Sequence, residues 1–131
     1  MCCICGVTNN RYNPDLTGKN FLITGGTKGF GRKCIEKLIS LNAVVIFCGR
    51  TKSLASDIIK KARIKYPLAK IEYFYCDFLK LSSVEIFASN FKKKYDKLHC
   101  LVHNIGGIEI DTITEDGYNS IFQLNYLSSF Y

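Results

Sequence analysis

Residues 20–31, Asn-Phe-Leu-Ile-Thr-Gly-Gly-Thr-Lys-Gly-Phe-Gly, constrain the fold of this chain more than any other stretch. A short apolar run ends in a glycine-rich turn, and a helical pattern begins at once. Gly25, Gly29 and Gly31 let the backbone bend sharply and leave space for a bulky anion. The amide groups that open the next helix point toward such an anion, and the helix dipole favours negative charge there. A strand, turn and helix in this order suit the pyrophosphate of a nucleotide. The spacing is Thr-Gly-x-x-x-Gly-x-Gly rather than the commoner Gly-x-Gly-x-x-Gly.

Beyond the turn the hydrophobic period alternates. A strand is expected over 20–24. A helix follows from Gly29 to about Leu41, with Phe30, Cys34, Leu38 and Leu41 at helical spacing and Asn42 in its C-terminal turn. Residues 43–48 are continuously apolar, as in a strand covered on both faces. A second helix is expected over 53–63 and a third strand over 71–76. A third helix opens with the capping-box spacing Ser82-x-x-Glu85 and carries Val84, Phe87, Phe91 and Tyr95 on one face. A fourth strand is expected over 98–104, and a last helix from about Thr114 to Tyr131. Strand alternating with helix four times predicts an α/β fold with a parallel sheet. Residues 1–15 read as a tail and 16–131 as one domain.

The chain has 131 residues, 47% hydrophobic and 22% charged, a balance that supports a packed core. No apolar run approaches the ~18 residues of a membrane span. The start, Met1-Cys2-Cys3-Ile4-Cys5, has neither the basic region nor the long apolar core of a secretory signal. The formal charge of +7 lies largely on lysine clusters without interleaved aromatics, which read as solvated faces rather than a nucleic-acid surface. Seven cysteines is an odd number, and Cys34, Cys48, Cys76 and Cys100 fall inside expected elements. That pattern points to free thiols, a reducing compartment and a cytoplasmic location. Cys2 and Cys5 form half of a zinc motif. His99 and His103 do not complete it, since on a strand they stand roughly 13 Å apart. No metal site is expected. Cys2, Cys3 and Cys5 are either part of a plain leader or sites for a lipid tether to a membrane.

Taken together, these motifs resemble the short-chain dehydrogenase/reductase superfamily over residues 16–131, nearest the branch of retinol-dehydrogenase-like and dehydrogenase/reductase member 12-like enzymes. Thr24, Gly25, Gly29 and Gly31 match its glycine motif, which here also contains Thr27, Lys28 and Phe30. An NAD-preferring relative carries an acid at the end of the second strand to bind the ribose hydroxyls. This chain has Gly49 there, followed by Arg50. Arg50 and Lys28 supply two cations for a 2′-phosphate, so NADP is expected rather than NAD. Asp77, followed by Phe78, matches the aspartate that bonds the adenine amino group. Asn104 and Gly106 match the family's Asn-Asn-Ala-Gly, whereas His103 and Ile105 depart from it. Asn125 matches the catalytic asparagine that holds a water in the proton relay, and it shares a helix face with Ile121 and Tyr118.

The resemblance implies a Rossmann-type parallel sheet with flanking helices, incomplete at about four strands in the order 3-2-1-4, with the fourth strand an apolar unpaired edge. It also implies hydride transfer between nicotinamide and a carbonyl or alcohol substrate, lipophilic ones included. The family's serine, tyrosine and lysine lie beyond the position matching Tyr131. Tyr66-x-x-x-Lys70 does not replace them: it falls between the second helix and third strand, and Pro67 takes Tyr66 out of helical geometry. The chain therefore reads as the N-terminal, cofactor-binding portion of an oxidoreductase, inactive alone. The alternative is a truncated non-catalytic nucleotide-binding or interaction module.

Overall fold

A computed structural model describes residues 13–108 and 110–131. Cys2, Cys3 and Cys5, and with them the tether and zinc-motif expectations, lie outside the described residues. The elements run β1 (Asn20–Thr24), α1 (Gly29–Ser40), β2 (Val44–Gly49), α2 (Lys52–Lys65), β3 (Ile71–Tyr75), α3 (Leu81–Lys94) and β4 (Cys100–Val102). A C-terminal helical segment follows, made of α4 (Ser120–Phe122), a π-helical stretch (Gln123–Leu127) and α5 (Ser128–Phe130). The four strands form one sheet in the order β3-β2-β1-β4. Every pairing is parallel, with Leu22 opposite Ile46 on one side and Leu101 on the other.

The continuous apolar runs of β1 and β2 follow from two covered faces. Successive strand residues point to opposite sides. Ile23, Val45 and Phe47 accordingly join Ile35 and Leu38 of α1 in one core. Leu22, Ile46 and Cys48 join Phe87 and Phe91 of α3 and Leu124 in the other. Each such side chain contributes about 1.5–3 kcal/mol by leaving water. Asn42 ends the turn after α1 with φ of 64°, a left-handed conformation that asparagine tolerates. Cys34, Cys48 and Cys76 are buried and Cys100 is half-buried.

Four expectations need correction. Phe30 does not join the core face of α1; it is 61% exposed. Strand β4 covers only 100–102 because the Thr24 hydroxyl captures the N–H groups of Asn104 (3.0 Å) and Ile105 (3.1 Å), which ends the ladder. Ser82 and Glu85 form no capping box. Lys80 is the N-cap, and the first N–H of α3, that of Leu81, instead donates to Asp116 Oδ2 at 2.9 Å. Glu85 accepts from the Tyr131 hydroxyl. Finally, the last helix begins at Ser120, six residues late, because Thr114–Gly117 form a turn and Ile113 bridges Asn119. No helix among the described residues is long and apolar enough to cross a membrane.

Candidate functional site

At the C-terminal ends of the strands a cleft of about 340 Å³ opens among the β1–α1 turn, the end of β2 and the loop after β4. Gly25, Thr27, Lys28, Gly29 and Phe30 line it from the glycine turn. Arg50, Phe78, Asn104 and Gly106 line it from the other loops. Nine of the residues expected from sequence thus converge on one cleft. Thr24, Gly31, Asp77 and Asn125 do not line it.

The glycines have separate jobs. A Cβ on Gly31 would lie 2.5 Å from Asn104 Nδ2 and 2.8 Å from the Gly25 carbonyl. Gly31 therefore permits close packing of the helix start against the loop after β4. Gly25 combines φ of 66° with a 3.1 Å approach to the Ile105 backbone, so a side chain is both strained and crowded there. Gly29 also has positive φ, 51°, yet its Cβ would meet nothing within 4 Å. It keeps the mouth of the turn bare. Gly26, absent from the family motif quoted above, is also closely packed, though less so than Gly31: its Cβ would lie 2.9 Å from both Ile35 and Phe47. The adjacent glycine pair was the available signal.

Two polar side chains hold this bare backbone in place. Asn104 Nδ2 donates to the Thr24 and Gly25 carbonyls at 3.1 and 3.0 Å. Thr24 is 4% exposed and ties β1 to the loop after β4 through its hydroxyl. Thr24 and Asn104 thus shape the cleft from below. The helix starts around it are left open. Lys28, the N-cap of α1, and Thr51, the N-cap of α2, make no side-chain capping bond, and neither first turn holds an acid. Those unpartnered amides present partial positive charge to the cleft. By contrast, Asp116 supplies a carboxylate to α3, so that end is already satisfied.

Gly49 leaves room where an acid would stand; a Cβ there would meet Thr27 at an ordinary 3.5 Å. Lys28 and Arg50 are exposed on either side. Asp77 Oδ1 accepts from the Leu79 N–H at 3.1 Å, an Asx turn, and its own N–H donates to Ser83 Oγ. Tyr73 closes the floor beneath Gly49, donating to the Gly49 carbonyl at 2.6 Å; burial pushes its hydroxyl up to about 12. Cys48 is likewise pushed up, by its hydrogen bond with Cys76 and by burial, which keeps it neutral as a packing group.

Asn125 lies in the π-helical stretch. Its Oδ1 accepts from the Gly107 N–H at 2.9 Å, and its Nδ2 donates to the carbonyls of Gly107 and Ile121. It clamps the loop after β4 to the C-terminal segment, and Gly106 permits this, since a Cβ there would sit 2.9 Å from Asn125 Oδ1. Its helix face is not the buried one: Ile121 and Tyr118 are 38% and 44% exposed. Gln123, fully buried, is the polar residue that sequence reading missed. It accepts from the Thr114 hydroxyl and donates to Asp116. His103, just past the end of β4, stacks on Phe130. Among the described residues no cluster of His, Cys, Asp or Glu can hold a metal ion.

Known proteins match this arrangement. The short chain dehydrogenase family model matches residues 19–131. Polyprenol dehydrogenase of Danio rerio is 36% identical over 118 residues, covering 89% of this chain and 36% of that protein. The WW domain-containing oxidoreductase of Gallus gallus is also 36% identical, over 28% of its length. The chain thus spans about a third of the curated relatives it matches. Among solved structures, the oxidoreductase yciK of Escherichia coli superposes with a TM-score of 0.78 at 20% identity, over 95% of this chain and 53% of that one. A short chain dehydrogenase of Escherichia coli CFT073 complexed with NADPH gives 0.76 at 19% identity, over 91% and 52%. With its fold, its glycine turn and a family match covering most of its length, the chain belongs to the short-chain dehydrogenase family.

Proposed function

We propose that this chain is the NADP-binding portion of an oxidoreductase that transfers hydride between nicotinamide and a carbonyl or alcohol carbon. The observation that carries the reading is the pairing of two uncapped helix starts with Lys28 and Arg50 around a cleft that has no acid at residue 49. The glycine turn fits a diphosphate, because a side chain at Gly29 would project into the space it needs. Arg50, beside the start of α2, fits a 2′-phosphate through charge-assisted hydrogen bonds. Asp77 and Phe78 would flank the adenine, and Asn104 and Gly106 would border the coenzyme on the β4 side. Nicotinamide, when bound, supplies or accepts the hydride; the chain's own residues bind and orient it. Asn125, in a π-helical stretch of the kind that recurs at functional sites, is proposed as the water-holding residue of the proton relay. The family's serine, tyrosine and lysine would have to come from outside residues 1–131, so this portion is proposed to be inactive alone. The name of the Danio rerio relative supports a lipophilic alcohol as the substrate class.

Calorimetric titration with NADP(H) and NAD(H) tests the reading. NADP(H) should bind more tightly, and Arg50→Ala should cut NADP affinity by roughly 10- to 100-fold while leaving NAD unchanged. An unchanged NADP/NAD ratio in Arg50→Ala would refute the assignment.

A further inference from the structure

The opposite rim of the sheet, at the N-terminal ends of the strands, carries a different chemistry. Helices that return between parallel strands bring their C-termini to this rim. Their last turns hold Lys37 in α1, Arg63 and Lys65 in α2, and Lys92, Lys93 and Lys94 in α3. Helix dipoles account for these six. They do not account for Lys19, Lys70 and Lys97, which stand in the loops leading into β1, β3 and β4 and are all exposed. Of the acids nearby, Asp15 is bonded to Thr17 and Asn42, and Glu72 to Lys94 and Tyr95; Asp96, exposed beside Lys97, is remote from Leu68 in sequence.

Two of the most exposed aliphatic side chains sit in the same place. Leu68 is 94% exposed at the tip of a tight turn closed by the Ala69 N–H on the Tyr66 carbonyl. Ile64, one residue before the end of α2, is 81% exposed. Both are ringed in sequence by Lys60, Lys61, Arg63, Lys65 and Lys70, and residues 58–71 contain no acid. Beside them opens a hollow of about 450 Å³ lined by Ile39, Ala43, Tyr66 and Leu68 together with Lys65 and Lys70. A hydrogen-bonded turn that presents a leucine to water, with Ile64 beside it, suits an apolar partner, and the lysines around it suit an anionic one.

We infer that this rim docks on an anionic lipid bilayer, with Leu68 and Ile64 entering the interface and the surrounding lysines meeting lipid phosphates. Aliphatic tips inside a cationic ring suit a bilayer surface. A nucleic acid would call for stacking aromatics, and the exposed residues of this turn offer none. The coenzyme cleft lies at the other end of the strands and stays accessible in this orientation.

Co-sedimentation with phosphatidylcholine vesicles, with and without phosphatidylserine, tests the inference. The chain should partition onto the serine-containing vesicles only. Ile64→Ser with Leu68→Ser should reduce partition roughly tenfold or more. Lys65→Glu with Lys70→Glu should do the same. All four residues are exposed, so the Ile64/Leu68 variant should melt like the parent; the Lys65/Lys70 variant should melt slightly lower, since Lys65 complements the end of α2 and lies over the Tyr66 ring. Absence of binding to anionic vesicles overturns the proposal. So does binding that the Ile64/Leu68 variant leaves intact, or that duplex DNA matches and displaces, since either marks a general polyanion surface.

Discussion

The two rims of one sheet are built on opposite terms. At the coenzyme rim, backbone amides stand bare, glycines replace side chains, and Thr24 and Asn104 hold the turn from beneath. At the far rim the backbone is satisfied by the neighbouring strand-entry loops. Asn20, for example, donates its N–H to His99 Nδ1 and its side-chain amide to the Lys97 carbonyl, while charged side chains crowd outward. The parallel architecture produces the contrast. All helix dipoles point the same way, so one rim gathers positive helix ends and the other negative ones. A dinucleotide suits the first, and lysines suit the second.

Substitutions can sharpen this comparison. The largest effect on folding is expected from Gly31→Ala, whose methyl has no space beside Asn104 and Gly25; it should cost roughly 3 kcal/mol of stability. Chemical denaturation measures it, and a neutral result would mean that the packing of the glycine turn is slack. Next, Asn104→Ala strips the Thr24 and Gly25 carbonyls of their donor, at about 2 kcal/mol. If it leaves stability intact, the turn is not held from beneath. Gly29→Ala should behave differently. It pays about 1 kcal/mol for its positive φ, but its methyl enters the cleft mouth, so the coenzyme should lose at least about tenfold in affinity. Equal losses of stability in Gly29→Ala and Gly31→Ala would erase the distinction between a glycine kept for packing and one kept for a ligand.

The smallest effect lies at the far rim. Dehydration of the His99 ring, with Lys97 and Lys19 nearby, holds its pKa below the ordinary 6.5. Its Nδ1 must stay unprotonated to accept from Asn20. Because the folded value is depressed, the stabilisation is complete above pH 6.5 and is lost as pH falls through the folded value. Melting temperature should therefore drop more steeply below pH 6.5 in the parent than in His99→Gln. Parallel pH profiles would remove His99 from the account.

Much of this was legible in the sequence. Strand β1 and the alternation of parallel strands with helices follow from hydrophobic period, and Gly25 and Gly29 from glycine spacing; the strand order and the other cleft-lining residues, Arg50, Phe78, Asn104 and Gly106 among them, follow from the family resemblance. The region after β4 resisted the same reading. There three aromatics, Phe122, Tyr126 and Phe130, are 47%, 55% and 77% exposed, whereas Ser120, Gln123 and Ser128 are buried beside Leu124. Those three polar groups bond to the Thr112 N–H and the Ile110 carbonyl, to Thr114 and Asp116, and to the Phe78 carbonyl, respectively. A hydrophobicity pattern cannot see polar pairs that satisfy each other across a turn or, as with Ser128 and Phe78, between distant segments. The missed cap on α3 has the same origin: Asp116 reaches Leu81 from 35 residues away, while the local Ser82-x-x-Glu85 spacing promised a nearer partner.

The central claim is that the unpartnered amides of the glycine turn bind the coenzyme's diphosphate. Backbone amide chemical shifts of the labelled chain, followed as NADPH is added, test it most directly. Saturable shifts should be largest at Lys28, Gly29, Phe30 and Gly31, with weaker ones near Arg50 and none around Leu68. Addition of NADPH that leaves the four turn amides unmoved, in a chain whose spectrum is otherwise well dispersed, would contradict the account.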